Sequence, residues 1–336
     1  MKLNMQHWVE EIINSSERKV LPIMTYPGLK LANKQIMDVV RDGASQAQCI
    51  EALSHKYPSI AAVTIMDLSV EAEAFGSPIQ FTENEVPSVI AAIVNDSDEA
   101  DILKIPEIGA GRTGMYITAA ELAAKNITDK PVFGGIIGPM SLAGRLMDMT
   151  EIMVQMITEP ETVHRVLDKC TRFLVEYGKA YKNKEVNGLI IAEPAAGLLS
   201  PEMCTEFSSE YVKNIVDALQ DENFMIILHN CGNTEKLVPS LLSTGAMGYH
   251  FGNVVDMADI MPQIPDTSIA FGNIEPAGGF RNGTTELMRT RVNDLLEKTA
   301  GYRNFVLSSG CDVPPQTPIE NVEAFYDALV QYNSRR

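Results

Sequence analysis

The stretch Phe224-Met-Ile-Ile-Leu-His-Asn-Cys-Gly232 begins with five apolar residues and ends in histidine, asparagine, cysteine and glycine. A short run that is apolar at every position is typical of a strand in a parallel sheet that helices cover. Side chains two residues apart lie on the same face of a strand, so His229 and Cys231 can point at one position. The stretch therefore predicts a buried strand with two reactive side chains at its carboxyl end.

Seven further apolar runs alternate with segments of helical periodicity along the chain of 336 residues. The eight predicted strands are 20–26, 59–66, 131–137, 188–192, 224–228, 246–251, 268–273 and 304–308. Eight such units predict an α/β protein with one domain over residues 1–336, a (β/α)8 TIM barrel that residues 1–19 precede as an N-terminal helix. An open doubly wound sheet is the alternative architecture.

Polar and reactive residues follow the predicted strands at their carboxyl ends. They are Tyr26, Asp67, Glu193, His229, Cys231, His250, Asn273, Glu275 and Cys311. In a (β/α)8 barrel all these ends surround one pocket, whereas in an open sheet they are spread along an edge. The distribution favours the barrel and predicts a single pocket that carries the chemistry.

Three of these residues are good zinc ligands. His229 and Cys231 end the fifth predicted strand, and Cys311 follows the eighth. Three protein ligands with one open position are typical of a catalytic zinc site. Zinc held by two thiolates and one imidazole favours an incoming thiol bound as the thiolate, which predicts alkyl transfer to sulfur. The alternative interpretation is a hydrogen-bonded histidine beside two cysteines that pack as small core residues.

Four other residues are candidates for the same pocket. Glu193 is predicted as a catalytic residue that completes the metal shell until a thiol arrives, the alternative being a capping or salt-bridge residue. Asp67 is interpreted as a catalytic acid or base, a substrate contact or a strand-end cap. Tyr26 and Asn273 are candidate cofactor-binding residues, and for Asn273 the alternative is a hydrogen bond to a loop carbonyl.

Composition restricts the classes of partner. The formal net charge of −17 disfavours nucleic acid and anionic membranes. No apolar run approaches the roughly 20 residues of a transmembrane helix, and the polar N-terminus does not resemble a signal peptide. Five cysteines in a chain of this length do not indicate a disulfide framework, so a cytoplasmic location is expected.

The motifs at the strand ends resemble those of the methylcobamide:thiol methyltransferases, best known with coenzyme M as acceptor, in the uroporphyrinogen decarboxylase superfamily. The matching segments are 66–67, 71–76, 138–146, 193–197, 199–201, 229–234, 272–276 and 310–321. The resemblance implies a TIM barrel and a zinc ion on His229, Cys231 and Cys311. It also implies methyl transfer from a methylated corrinoid, carried on a small corrinoid protein, to a zinc-bound thiol. Members of the superfamily are often dimers, so a homodimer is expected.

Two features separate this chain from the uroporphyrinogen decarboxylases themselves. Those enzymes carry an arginine-rich segment near the N-terminus, whereas residues 21–28 contain no arginine. Gly310-Cys311-Asp312 stands where they carry a histidine between two glycines. A metal-free decarboxylase that uses Asp67 and a non-catalytic corrinoid- or tetrapyrrole-binding protein are the alternative functions. The methyl acceptor stays open between coenzyme M, another small thiol and a folate.

Overall fold

A computed structural model of the protein describes residues 3–335. Its strands are β1 (Ala62–Val63), β2 (Ile79–Gln80), β3 (Ser88–Val89), β4 (Val132–Ile137), β5 (Gly188–Ala192), β6 (Met225–Asn230), β7 (Gly248–Phe251), β8 (Ile269–Ile274) and β9 (Phe305–Ser309). Seven of them form one sheet in the order β1-β4-β5-β6-β7-β8-β9, and each neighbouring pair is parallel. The parallel α/β architecture predicted from the apolar runs is confirmed.

Helices alternate with these strands. They are α1 (Met5–Asn14), α2 (Gly28–Ala32), α3 (Ile36–Val39), α4 (Gly43–Lys56), α5 (Val70–Phe75), α6 (Ser97–Ile102), α7 (Thr113–Asn126), α8 (Pro139–Met147), α9 (Met149–Thr158), α10 (Pro160–Lys182), α11 (Pro201–Cys204), α12 (Glu210–Leu219), α13 (Val238–Leu242), α14 (Met257–Ile260), α15 (Thr285–Lys298) and α16 (Ile319–Asn333). Among these residues no helix is both long enough and apolar enough to cross a membrane.

Both faces of the parallel sheet are buried, which explains why its strands are apolar at every position. Ile190 and Ala192 of β5 pack in an inner cluster with Ile227. Leu189 and Ile191 of the same strand pack in the outer layer with the helices. The parity of a residue along its strand therefore decides whether its side chain points inward or toward the helices.

The first predicted strand, 20–26, is an extended segment rather than a regular strand. Val20 forms one isolated parallel bridge with Leu307 of β9, and its carbonyl accepts a hydrogen bond from the Ile60 N–H at 3.0 Å. Pro22 supplies no N–H, so a continuous ladder cannot form along this segment. The segment nevertheless lies between β9 and the residues that lead into β1.

The region 68–112, predicted as loops with one helix at about 97–104, contains more structure than its prolines suggested. It holds α5, the antiparallel pair β2–β3 and α6. A second difference concerns the single helix predicted at about 141–157. Asp148 interrupts it with a φ of 71°, and its side chain accepts hydrogen bonds from the first N–H groups of α9. The interruption produces two helices, α8 and α9.

Candidate metal centre

The structure brings His229, Cys231 and Cys311 together at the carboxyl ends of β6 and β9. The Cys231 sulfur lies 3.0 Å from His229 Nε2 and 3.4 Å from the Cys311 sulfur. All three ligand atoms lie within 4.8 Å of one another. These are the residues that the strand-end pattern singled out, although 80 positions separate the two cysteines.

A chain of buried hydrogen bonds supports the imidazole of His229 from behind. His229 Nδ1 lies 2.7 Å from His250 Nδ1, and His250 Nε2 lies 2.8 Å from Ser308 Oγ. The Ser308 hydroxyl in turn donates to the Leu21 carbonyl at 2.6 Å. His229 and His250 are each 2 % exposed, so water cannot replace these partners.

The positions of the protons along this chain of hydrogen bonds follow from the role of Ser308. Because the Ser308 hydroxyl donates its hydrogen bond to the Leu21 carbonyl, its oxygen accepts from the Nε2–H of His250. Burial lowers the pKa of His250 well below its ordinary value, so the ring is neutral and its Nδ1 is an acceptor. His229 therefore donates from Nδ1 and keeps the lone pair of Nε2 for the sulfur side, which is the tautomer that a metal ligand requires.

The two cysteines share a single proton. The hydrogen bond that the Cys231 thiol donates lowers the pKa of Cys311 well below its ordinary value. The same hydrogen bond and burial raise the pKa of Cys231 well above its ordinary value. The pair therefore holds one thiolate and one thiol at neutral pH, and a cation that binds both sulfurs displaces the remaining proton.

The donor set fits zinc. Two sulfurs and one imidazole nitrogen are ligands that zinc prefers, and in a tetrahedral zinc site such atoms lie about 3.5–3.8 Å apart. The separations of 3.0 and 3.4 Å need to open by roughly half an ångström to reach that range. No fourth side chain joins this group among residues 3–335, which leaves one coordination position for an exogenous ligand.

Glu193, expected to complete the metal shell, lies elsewhere. Its carboxylate accepts hydrogen bonds from the N–H groups of Met140 (2.9 Å) and Ser141 (2.6 Å) and from the Ser141 hydroxyl. These donors are the unpaired N–H groups of the first turn of α8, where a carboxylate is favoured. Burial raises the pKa of Glu193 to about 7, against the effect of these donors. The structure thus gives Glu193 the capping geometry that was the alternative interpretation.

Asp67 lies at the carboxyl end of the β1 segment and is fully engaged. Its carboxylate accepts hydrogen bonds from Arg112, from the Tyr116 hydroxyl at 3.0 Å and from the Ser69 hydroxyl at 2.6 Å. Tyr26 is buried nearby, and its hydroxyl has no hydrogen-bond partner among the described residues. Burial, and then the charge of Asp67, raise the pKa of Tyr26 well above its ordinary value.

The side-chain amide of Asn273 forms hydrogen bonds with backbone carbonyls. The amide nitrogen donates to the carbonyls of Gly252 (2.9 Å) and Val255 (2.8 Å). This is the loop contact that was its alternative interpretation, and it holds the loop that follows β7. Glu275 forms an ion pair with Arg291 at 2.8 Å. Neither residue joins the three-ligand group.

The contact between His229 and His250 is the feature that the sequence alone did not indicate. His250 follows a predicted strand, but no motif in the sequence gives it a partner. In the parallel pairing of β6 and β7 the two histidines are direct neighbours. The register of the two strands was the missing information, because the sequence of one strand does not say which residue of the neighbouring strand stands beside it.

Fold and site together define a class of protein: a parallel α/β fold whose strand ends present one imidazole and two thiols around an open position. The sequence profile described as uroporphyrinogen decarboxylase (URO-D) matches residues 23–332. The chain belongs to the uroporphyrinogen decarboxylase family.

Individual relatives fall into two groups. The methylcobamide:CoM methyltransferase MtbA of Methanosarcina acetivorans is 29 % identical over 296 residues, which cover 87 % of this chain and 85 % of the relative. A uroporphyrinogen decarboxylase of Pseudoalteromonas translucida is 24 % identical over 291 residues, which cover 83 % and 81 %. A solved methyltransferase structure from Methanosarcina mazei superimposes with a TM-score of 0.87 at 20 % identity, covering 99 % of both chains, and so shares the fold.

Proposed function

We propose that this protein is a zinc-dependent methyltransferase that moves a methyl group from a methylated corrinoid to a small thiol. The observation that carries the proposal is the convergence of His229 Nε2 and the sulfurs of Cys231 and Cys311 within 4.8 Å, with no fourth ligand among residues 3–335. The names of the methylcobamide:CoM methyltransferases among its relatives support the same reaction. Coenzyme M is accordingly the first thiol to test.

The chain's own residues have defined tasks in this reaction. Zinc bound there would lower the pKa of an incoming thiol while leaving its sulfur nucleophilic. His250 keeps the proton of His229 on Nδ1, and Cys231 would have to lose its proton to solvent in order to hold the metal as a thiolate. The methyl group moves as a cation equivalent: its new bond forms with a sulfur lone pair, and the electron pair of the Co–C bond stays on cobalt. Asp67, held by Arg112 and Tyr116, orders the loop after β1.

We also propose the surroundings in which the site works. The segment 20–24 takes the place of the eighth strand and closes the sheet into a TIM barrel. It forms backbone hydrogen bonds with Leu307 on one side and with Ile60 on the other. A small corrinoid protein presents the methyl donor at the mouth of that barrel. The five cysteines are all free thiols, which fits the reducing cytoplasm.

Metal analysis and turnover test the proposal together. Protein purified without chelator is expected to contain about one zinc per chain, and to demethylate methylcobalamin, followed by absorbance, only when a thiol is supplied. Replacing both Cys231 and Cys311 by Ala should abolish zinc binding and turnover. Cys204→Ala, at a buried helix cysteine, is the matched control and should retain both.

The outcomes separate the alternatives. A wild-type protein without zinc, or full zinc retention by the double variant, contradicts the proposal. Binding of methylcobalamin without methyl transfer to any thiol of a panel indicates the non-catalytic binding protein. Loss of carbon dioxide from uroporphyrinogen by the metal-free protein indicates the decarboxylase that some relatives are named for.

A further inference from the structure

A cavity of about 510 Å³ lies beside the end of β1, between the β2–β3 pair and the second half of α8. Its wall mixes polar and apolar surface, and the larger apolar residues that line it are Met66, Leu68, Val86, Val89, Ile90 and Met149. Met66 belongs also to the inner cluster of the sheet, so the cavity adjoins the strand ends. Its volume lies in the range of small-molecule sites, which combine apolar residues with a few polar groups that orient the ligand.

Arg145 of α8 supplies the positive charge in this wall. Among residues 3–335 it forms no ion pair, and its one hydrogen bond is a long contact of 3.5 Å to the Ser141 carbonyl. Burial lowers the pKa of the guanidinium below its ordinary value. The charges of Glu71, Glu193 and Asp67 oppose this shift without reversing it, and none of these carboxylates forms an ion pair with Arg145.

Arg112, about thirty positions earlier in the chain, shows what a satisfied guanidinium looks like in this protein. Its Nε pairs with Glu73 at 2.5 Å, one terminal nitrogen binds Asp67, and the other binds Ser69 at 2.7 Å. Arg145 has none of these partners. Arg145 lines the cavity, and a five-donor planar group matches the oxygens of a carboxylate, sulfonate or phosphate.

The carboxylates nearest to Arg145 accept hydrogen bonds from other donors. Glu193 accepts from the first turn of α8. One oxygen of Glu71 accepts from the Ile137 N–H at 3.0 Å, and its other oxygen has no hydrogen-bond partner among the described residues. Asp148, which also lines the cavity, accepts from Thr150 and Glu151 at the start of α9. None of them forms an ion pair that would make Arg145 a structural residue.

We propose that this cavity binds an organic anion, with Arg145 pairing the acidic group and the apolar residues of the wall covering the rest of the molecule. The inference rests on the proposed methyl transfer for the identity of the molecule. Two substrates of that reaction supply suitable chemistry: an acceptor thiol with an acidic end, such as 2-mercaptoethanesulfonate, and a corrinoid with a phosphate in its nucleotide tail. Arg145 is thereby a specificity-determining residue for one of them.

The first experiment measures binding without turnover. Ethanesulfonate carries the acidic end but no thiol, so it cannot bind a metal through sulfur; inorganic phosphate is the second probe. Both are titrated into wild-type protein, Arg145→Gln and Arg145→Lys by calorimetry. Arg145→Gln should weaken binding of at least one probe about tenfold to a hundredfold, and Arg145→Lys should restore part of it. Arg172→Gln, at an exposed arginine on α10, should bind like wild type.

The second experiment distinguishes the two sources by kinetics. If the thiol carries the anion, Arg145→Gln raises KM for 2-mercaptoethanesulfonate at least about tenfold, leaves kcat within about threefold, and leaves 2-mercaptoethanol unaffected. If the corrinoid carries it, KM rises for methylcobalamin but not for methylcobinamide, which lacks the phosphate.

Three results decide between the claims. Unchanged binding of both anions and unchanged KM values in Arg145→Gln overturn the anion site while leaving methyl transfer intact. Anion binding that Arg145→Gln weakens, in a protein that methylates no thiol, preserves the site and rejects the proposed function. A uniform loss with every donor and acceptor, accompanied by a lower melting temperature, assigns Arg145 a structural role and overturns the inference.

Discussion

Replacing His250 by Phe is expected to weaken zinc binding without touching a ligand atom. In the wild-type protein the His229 Nδ1–H is held by His250 at 2.7 Å, and this holds the Nε2 lone pair toward the cysteines. Phenylalanine fills the same space but accepts no hydrogen bond. The buried Nδ1–H then has no partner, and the tautomer with its proton on Nε2 competes with metal binding.

The size of the effect follows from the burial of both rings. A buried donor left without an acceptor costs about 1–3 kcal/mol, and loss of a group that orients a metal ligand typically costs about 10–100-fold in affinity. Since tenfold corresponds to about 1.4 kcal/mol, the two estimates agree. His250→Phe should therefore raise the zinc dissociation constant about 10–100-fold.

Competition with a chromogenic zinc chelator measures this constant directly. His250→Gln, whose amide oxygen can accept from His229, should lose less affinity, and His55→Gln at an exposed helix position should lose none. Ser308→Ala, at the far end of the chain of hydrogen bonds, should give a smaller but measurable loss, between about threefold and tenfold. Wild-type affinity in folded His250→Phe, or in Ser308→Ala if the first variant does not fold, would refute the proton assignment.

Burial raises the pKa of Glu71 to about 7, so the native state holds a proton that the unfolded chain loses near pH 4.3. The free energy of unfolding of the wild type should therefore fall as pH rises between these two values. In urea unfolding, the stability of Glu71→Gln relative to wild type should increase by up to about 3 kcal/mol from pH 4 to pH 8. A Cβ on Gly197 would lie 2.4 Å from the Cys231 carbonyl, so Gly197→Ala should lose zinc affinity at least about tenfold, whereas Gly301→Ala, with nothing within 4 Å, should not. Zinc binding at pH 7.5 should release about one proton, measured by calorimetry in buffers of different ionisation enthalpy, since Cys311 is already a thiolate and Cys231 is not; release of none or of two contradicts this.

The parts of the fold that the sequence predicted are those set by local pattern. Apolar runs such as 188–192 and 224–228 became β5 and β6 because a sheet buried on both faces needs them. The site followed from one global assumption, that parallel strands have their carboxyl ends on one side. Under that assumption Cys311 had to approach His229 and Cys231, whatever the length of chain between them.

Features that depend on a single backbone group were not predictable in this way. The apolar run 20–26 reads as a strand, yet Pro22 breaks its ladder and Ile23 donates to the Ser309 side chain instead of a backbone carbonyl. The unpaired state of Arg145 was equally hidden, since an arginine on a helix is usually solvated or paired. It is an exception because Glu193 binds the first turn of α8 and Glu71 binds the Ile137 N–H, and neither carboxylate pairs with Arg145.

His229 lies in the three-ligand group and Glu193 does not, because the two side chains lie on opposite faces of the sheet. Ala192 of β5 pairs with His229 of β6, and both belong to the inner face, as do Ile190 and Ile227. Glu193 is one residue further along, so its side chain turns outward to the helices. There it meets the first turn of α8, whose N–H groups need an acceptor. A residue at the end of a neighbouring strand is therefore not enough to provide a metal ligand. Its side chain must also lie on the same face of the sheet as the other ligands.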